Sequence, residues 1–199
     1  MPIRKPVTAF VSVLASSLLL AMPALAQSTL SQSTLAPSVP TIPESQIEPN
    51  KVATTYEFVA TASSANAFEI EAAKLALQMA QSPDVKSFAQ TMIEDHTAAQ
   101  EELLATGKAV STDIAKPQPD GEQQGLLDGL EGSEPGTFDA LYVDSQIFAH
   151  QRAVALFKGY AEGSEPLNLY AAKTLPTLQE HYAMILDIAG KMQTKAAAQ

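Results

Sequence analysis

The sequence predicts an all-α protein, a four-helix bundle with a long connection between its second and third helices. Four segments carry apolar residues at alternating steps of three and four, which is the period of an amphipathic helix, and patterns typical of strands are nearly absent. Short turns join the first helix to the second and the third to the fourth. Such turns give two antiparallel hairpins, and the long connection is able to cross the bundle as in ferritin-like folds.

The N-terminus has the three parts of a secretory signal. Arg4 and Lys5 form a short basic start, residues 7–21 are apolar or small without a charge, and Ala24–Ala26 places small residues at the cleavage positions. The apolar run of about 15 residues is shorter than the roughly 20 that a membrane-spanning helix needs. We therefore predict a signal peptide over residues 1–26, cleaved after Ala26, and a periplasmic or secreted protein.

The composition limits the classes of function. The chain has no Cys, and its 22 acidic and 12 basic residues give a formal net charge of −10. Such a chain repels phosphate backbones and anionic lipid surfaces. We therefore expect no nucleic-acid partner, and no further segment is long and apolar enough for a membrane span after cleavage. The sequence contains neither a phosphate-binding glycine loop nor a nucleophile elbow.

The segment over residues 27–53 precedes the first helical pattern. It is rich in Ser, Thr and Pro, and such a composition buries too little apolar surface to offset the entropy lost on ordering. We therefore predict a disordered linker, which either spaces the domain from a surface or is only a flexible terminus. The bundle is expected over residues 54–193, followed by a C-terminal tail at residues 194–199.

The first two helices are predicted over residues 56–81 and 84–107. Thr54 opens a capping box before the first helix, while Ser82 and the proline after it open the second. Gly107 is the expected C-terminal stop. The residues assigned to the buried faces are Phe58, Ala62, Ala65, Glu69, Ala72, Ala76 and Met79 in the first helix, and Val85, Phe88, Met92, His96, Ala99 and Leu103 in the second.

The long connection covers residues 108–136. Pro117, Pro119 and five glycines exclude one continuous helix there. Residues 122–130 nevertheless carry three leucines at helical spacing. We predict a short extra helix at this point, which covers one end of the bundle.

The third and fourth helices are predicted over residues 137–162 and 165–193. Thr137 is the expected cap of the third helix and Ser164 that of the fourth, which also has an early proline. Pro176 lies inside the fourth pattern and is expected to kink or interrupt that helix. The residues assigned to the buried faces are Val143, Ile147, His150, Val154, Phe157 and Ala161 in the third helix, and Ala171, Thr174, Leu178, His181, Ile185, Ile188 and Met192 in the fourth.

Polar residues interrupt all four buried faces at one height. They are Glu69, His96, His150 and His181, and the three His are the only ones in the chain. The midpoints of the predicted helices fall near residues 68, 96, 150 and 179, and midpoints share one level when the ends of a bundle are aligned. An offset of two residues is only about 3 Å. We therefore predict that one carboxylate and three imidazoles meet in the middle of the bundle.

Two hypotheses account for this polar level. A buried ionised Glu and mid-core imidazoles need partners, and one metal ion would satisfy all four groups, because His and Glu are ordinary ligands for zinc, copper or iron. The alternative is a hydrogen-bonded layer that only fixes the register of the helices, with Glu69 paired to a protonated His.

Five further residues stand beside the predicted ligands in the sequence: Glu94, Asp95, Glu180, Met92 and Met184. The three acids either orient the ligands and line an access path or belong to a solvated helix face. The two methionines lie one turn from His96 and His181. Thioethers suit Cu(I), although Met at a core position is usually a filler.

Sequence motifs add a family resemblance. They occur in order on all four predicted helices, over roughly residues 54–190: Phe68-Glu69-Ile70-Glu71, Met92-Ile93-Glu94-Asp95-His96, Phe138-Asp139 with Tyr142, His150, and Leu175-Pro176-Thr177-Leu178 with His181. Together they resemble the family catalogued as domain of unknown function 4142. The resemblance implies a ferritin-like four-helix bundle of a kind common among exported bacterial proteins, with a biochemical role that is largely unassigned.

The sequence departs from the pattern of ferritin-like proteins that house two metal ions. Those proteins use a Glu on two helices and Glu-x-x-His on the other two, whereas here Ile93 and Leu178 stand three residues before His96 and His181. A di-iron centre is therefore not expected, and any site would be mononuclear.

Two functions remain open, and an enzyme is the least favoured. The sequence indicates no general base and no open coordination position, so no catalytic residue is predicted. One candidate is an exported bundle that binds a metal ion for storage, buffering or stress protection. The other is a non-catalytic structural or interaction module of the cell envelope, whose protein partner the sequence does not indicate.

Overall fold

The computed structural model describes residues 36–112 and 116–198. Five α-helices make up most of this part of the chain: α1 (Thr55–Met79), α2 (Pro83–Ala109), α3 (Gly121–Glu131), α4 (Pro135–Tyr160) and α5 (Pro166–Ala197). A 3-10 turn covers Glu44–Gln46, and the described residues contain no strand. The predicted all-α bundle is thus confirmed. The predicted signal peptide at residues 1–26 lies outside the described residues.

The four long helices form the bundle, and α3 lies outside it. The helix pairs α1–α2 and α4–α5 are hairpins, α1 also packs on α4, and α2 packs on α5. On α1 and α4 the contacts run in opposite directions, because Phe58 meets Phe157 while Glu69 meets His150. The long helices therefore run up, down, down and up. The connection between α2 and α4 has to return along the bundle, and α3 packs on α1 and α4 on the way.

Two groups of aromatic side chains fill the core on either side of its middle. Near one end, Phe58 stacks on Tyr160 with ring centroids 3.9 Å apart and meets the edge of Phe157 at 5.3 Å. Towards the other end, Phe88 meets Tyr142 at 6.4 Å, and Tyr142 stacks on Phe138 at 6.1 Å. Aromatic pairs in such geometries add about 0.5–1.5 kcal/mol each beyond the area that they bury. The polar residues lie between these two groups.

Residues 36–53, the N-terminal strap, lie along the bundle instead of forming the disordered linker that their composition predicted. The strap donates hydrogen bonds from Ser38 and Val39 to the carboxylate of Asp144, at 2.7–3.0 Å. Further along, the hydroxyl of Tyr182 donates to the carbonyl of Ile42 at 2.7 Å. Side chains of α4 and α5 thus satisfy polar groups of the strap, and this compensates for its low apolar content.

The strap crosses α4 where that helix has no side chain. Asn50 N donates to Ala155 O at 2.8 Å, and a Cβ built on Gly159 would lie 2.0 Å from Asn50 O. Any larger residue at Gly159 would therefore collide with the strap backbone. Ile47 is 5% exposed beside this crossing, so the strap also contributes an apolar anchor to the core.

The starts of two helices differ from the prediction. α4 begins at Pro135 with Glu134 as its N-cap residue, not at Thr137, and α5 begins at Pro166 with Glu165 as its N-cap residue, not at Ser164. The reason is the same in both helices. Proline has the φ of a helix and lacks the N–H that would go unpaired in the first turn, so it determines the first residue without a side-chain cap.

Two predicted helix ends do not occur. Pro176 does not interrupt the fourth helix, because α5 is continuous from Pro166 to Ala197. α2 runs through Gly107 to Ala109, and the role of this glycine is one of space, because an added Cβ would lie 3.0 Å from Thr112 O where the chain folds back. None of the helices in the described part of the chain is long and apolar enough to cross a membrane.

Candidate metal centre

Three histidines from three helices meet in the core, as their spacing predicted. His96 on α2, His150 on α4 and His181 on α5 are 3%, 1% and 2% exposed. Their ring centroids are 5.5–5.8 Å apart in all three pairs. One ring nitrogen from each lies within 4.8 Å of the other two. We call these three residues the His cluster.

The helix packing accounts for this convergence. The contacts of His96 with His150 and of Asp95 with His181 bring the middles of α2, α4 and α5 to one level. Phe88, two turns before His96 on α2, contacts the rings of His150 and His181 at 6.1 and 6.5 Å and bounds the cluster on one side. On this side the cluster therefore contacts an apolar ring.

Each ring of the His cluster is oriented by one hydrogen bond. The bonds run from His96 Nδ1 to Asn66 Oδ1 (2.9 Å), from His150 Nδ1 to Gln146 O (3.0 Å) and from His181 Nε2 to Asp95 Oδ2 (2.8 Å). All three partners are acceptors, so the proton of each neutral ring resides on the bonded nitrogen. The second nitrogen of each ring carries a lone pair. These nitrogens, His96 Nε2, His150 Nε2 and His181 Nδ1, are buried and have no hydrogen-bond partner among the described residues.

The surroundings keep the three rings neutral. Burial, followed by the charges of the other two rings, holds the pKa of His96 well below its usual 6.5. Burial and the charge of His181 lower the pKa of His150 to about 3, although the bond to Gln146 opposes this shift. Burial also lowers the pKa of His181 against the attraction of Asp95 and Glu180. Neutral imidazole is the form that binds metal ions.

Glu69 lies beside the His cluster but not within its set of converging nitrogens. Its side chain is buried on α1, with Oε1 3.7 Å from His150 Nδ1, the nitrogen that already donates to Gln146 O. Burial raises the pKa of Glu69 to about 8. Glu69 Oε2 and the hydroxyl of the neighbouring Tyr142 have no partner within the described residues, and burial together with Glu69 raises the pKa of Tyr142 well above 10. Glu69 is thus placed behind a ligand candidate, on the side opposite its free nitrogen.

The five residues predicted to accompany the ligands differ in their positions. Asp95 contacts His181 directly, and Glu180 is close enough to raise the pKa of that ring. Glu94 is exposed and accepts a hydrogen bond from Gln90 Nε2 at 2.7 Å, so it belongs to the solvated face. Met92 is fully buried and Met184 half-buried, both within the apolar core.

Sequence reasoning missed three residues that surround the cluster. Asn66, Gln146 and Tyr142 are 5%, 0% and 0% exposed. A signal for them exists, since Asn66 lies three residues before Glu69, and Tyr142 and Gln146 lie eight and four residues before His150. Residues at these spacings share one helix face. Polar residues at these spacings from a predicted buried Glu or His therefore predict further polar groups in the same part of the core.

The arrangement brings one nitrogen from each of three neutral rings within 4.8 Å of the other two. Such a donor set is typical of zinc, copper and iron sites with further positions at the metal. A carboxylate stands behind one of the rings, because Asp95 accepts the hydrogen bond of His181. Acceptors of this kind orient ligating imidazoles and raise their basicity in metal sites.

Comparisons with known proteins agree with the fold and the motifs. A family model described as "Domain of unknown function (DUF4142)" matches residues 41–188 and confirms the resemblance carried by the motifs. None of the curated proteins matches the chain. The chain is similar to the crystal structure of a DUF305 fragment from Deinococcus radiodurans, with 15% identity and a TM-score of 0.61, over 76% of this chain and 99% of that chain. At this identity the likeness shows a shared helical fold.

Proposed function

The chain belongs to the DUF4142 family, and we propose that this member binds one transition-metal ion through His96, His150 and His181. The family description assigns no chemistry, so the support comes from the His cluster. We propose further that the protein is exported to the periplasm or beyond, because residues 1–26 have the composition of a secretory signal. Its role would be to store or buffer a metal ion or to protect against metal stress.

One observation carries the proposal: three lone pairs are buried together without a partner. His96 Nε2, His150 Nε2 and His181 Nδ1 are shielded from water and make no hydrogen bond with the described residues. A buried polar atom left in this way costs about 1–3 kcal/mol. A single cation bound by the three rings would satisfy all three nitrogens at once.

The same observation disfavours the alternative of a layer that only fixes helix register. Polar layers with that role pair their members with one another. Here the three rings bond to Asn66, Gln146 and Asp95 instead of to one another, and the second nitrogen of each ring is unpaired among the described residues. The predicted pairing of Glu69 with a protonated His is also disfavoured, because burial lowers the pKa of His150 to about 3 and raises that of Glu69 to about 8.

The carboxylate of Asp95 favours a divalent ion in a mononuclear site. A divalent ion in a dry core needs compensating negative charge, and Asp95 stands directly behind the proposed ligand His181. The converging set among the described residues contains three donors and no carboxylate that would bridge two ions. Zinc, copper and iron all accept imidazole ligands, so the site fits a divalent ion of borderline softness.

The test uses the fact that the chain has no His outside the cluster. Purified protein is loaded with Zn²⁺, Cu²⁺ or Fe²⁺, and its metal content is measured after dialysis. Thermal unfolding is measured with and without the free metal ion. We expect one ion per chain and a stabilisation of about 2.7 kcal/mol when free metal is a hundredfold above Kd. His150→Ala should abolish both, whereas Asp128→Asn, which removes an exposed carboxylate on α3, should change neither. Metal content far below one ion per chain, or binding that survives His150→Ala, would refute the proposal.

A further inference from the structure

α2 and α5 are joined by three acid–base pairs that follow one rule. In each pair the acid is on α2 and the base on α5: Asp84 with Lys191 at 3.6 Å, Asp95 with His181 at 2.8 Å, and Glu102 with Lys173 at 2.8 Å. Since the two helices are antiparallel, the pairs succeed one another like the rungs of a ladder along the line where the helices meet. We call this line the α2–α5 seam.

The middle rung differs from the outer two in burial. In the outer rungs, all four side chains are 43–69% exposed, so both partners lie at the surface. In the middle rung, the Asp95 side chain is 44% exposed while that of His181 is 3% exposed. This pair therefore runs from solvent to the core. The unpaired nitrogen of His181 belongs to the His cluster, so one side chain separates Asp95 from the proposed metal centre.

Two other sides of the His cluster are covered. α3 packs over α1 and α4, and the strap lies on α4 and α5. The orienting partners of the other two rings are themselves in the interior, because Asn66 is 5% exposed and Gln146 is fully buried. Of the three orienting groups, Asp95 alone reaches water.

On this basis, and resting on the proposed metal centre, we propose that the ion enters and leaves through the α2–α5 seam, with Asp95 as its first ligand. The exposed carboxylate captures the hydrated cation and replaces part of its water shell. Capture by Asp95 weakens the hydrogen bond to His181 Nε2, which frees that ring to turn and transfer the ion inward. The exposed carboxylate of Glu180, adjacent to His181 in the chain, adds negative potential at the same place.

The seam provides its own matched controls. Asp95→Asn retains an acceptor for His181 Nε2–H and removes the charge, while Asp84→Asn and Glu102→Gln each remove one acidic charge from an outer rung. The probe is Co²⁺ added to the full chain, because its visible absorption reports coordination by nitrogen ligands. Uptake is followed by stopped flow, and release is followed after mixing with excess chelator.

We call Asp95 in the proposed entry role the port. Asp95→Asn gives different results if Asp95 is a port and if it only orients His181. For a port, Asp95→Asn slows uptake by about tenfold, as expected when a focusing charge is lost. Kd rises by up to about 10–100-fold because Asp95 also orients the ligand His181, and the outer-rung variants change either rate by less than about twofold. Rates for Asp95→Asn equal to those of the controls would overturn the port. Faster release with unchanged uptake would also overturn it, since Asp95 would then act only on the orientation of His181.

The outcome for the unaltered chain separates this inference from the proposed function. If the unaltered chain takes up one Co²⁺ and the rates for Asp95→Asn equal those of the controls, the metal centre is supported and only the port is refuted. Failure of the unaltered chain to take up Co²⁺ would overturn the metal centre, and the port with it.

Discussion

Glu69→Gln is expected to stabilise the metal-free protein, and increasingly so as the pH rises. Burial raises the pKa of Glu69 to about 8, from an ordinary 4.5. Between these values the folded chain holds a proton that the unfolded chain has released. The free energy of unfolding therefore falls as the pH rises through this interval and is constant above it. A glutamine has nearly the same shape and no charge to bury, so the variant lacks this loss.

The size of the effect follows from the width of the interval. Each pH unit between the two pKa values changes the free energy of unfolding by about 1.4 kcal/mol. The variant should thus gain little near pH 5, about 3 kcal/mol at pH 7 and at most about 5 kcal/mol near pH 9. For a domain whose total stability is about 5–15 kcal/mol, this is a large change.

Urea unfolding in the presence of chelator, at several values from about pH 5 to about pH 9, measures this difference. Glu71→Gln is the matched control, because its side chain lies two positions away on α1, is 52% exposed and pairs with Lys74. The control should show a small effect without a trend in pH. A stabilisation by Glu69→Gln that stays constant from acid to alkaline pH would show that Glu69 is ionised throughout, and the reasoning would fail.

Three other changes test separate parts of the structure. The pKa of His150 falls to about 3 on folding, so its contribution to the free energy of unfolding is present above pH 6.5 and is lost as the pH falls. His150→Leu should therefore reduce the slope of the unfolding free energy against pH in acid by about 1.4 kcal/mol per pH unit. An unchanged slope would contradict the low pKa. In urea unfolding, Gly159→Ala should destabilise the protein by about 1–3 kcal/mol, because the added Cβ collides with the strap. Gly190→Ala has open space around its Cβ and should stabilise α5 by up to about 1 kcal/mol in the same measurement. Tyr182→Phe should speed amide exchange in the strap, measured by mass spectrometry, since it removes the donor to Ile42 O; unchanged exchange would show that this bond does not hold the strap.

The level at which the three histidines meet could be predicted because it depends only on helix period and turn length. The period places His96, His150 and His181 on buried faces, and short turns align the ends of each hairpin. Both quantities are local in sequence, so small errors in the helix limits move a side chain by only a few ångströms. The depth of Glu69 followed from the same reasoning.

The partners of the histidines could not be predicted in this way. On α1, positions 65 and 66 are both within one turn of Glu69, and the apolar pattern favoured Ala65, which is half-buried, over the buried Asn66. Which polar neighbour faces inward depends on how α1 is rotated against α2. Apolar periodicity specifies that rotation only to within about one residue, or roughly 100°.

The strap is beyond prediction from composition for a different reason. Ser and Pro content indicates only whether a segment has enough apolar residues of its own to be ordered, whereas the strap is bound by groups far along the chain. Its bonds to Asp144 and Tyr182 span 105–106 and 140 residues. The carboxylate and hydroxyl that hold it are encoded in α4 and α5, and a local window contains no sign of them.

The strap also determines the order in which the molecule can be completed during synthesis. Its residues leave the ribosome before any helix does, yet Tyr182, which bonds to Ile42, follows 140 residues later. At 5–20 residues per second, that interval is on the order of ten seconds. Until α5 follows, the strap lacks this donor and His96 lacks His181. The segment of the described chain that is made first therefore obtains its full set of hydrogen bonds only with the last helix.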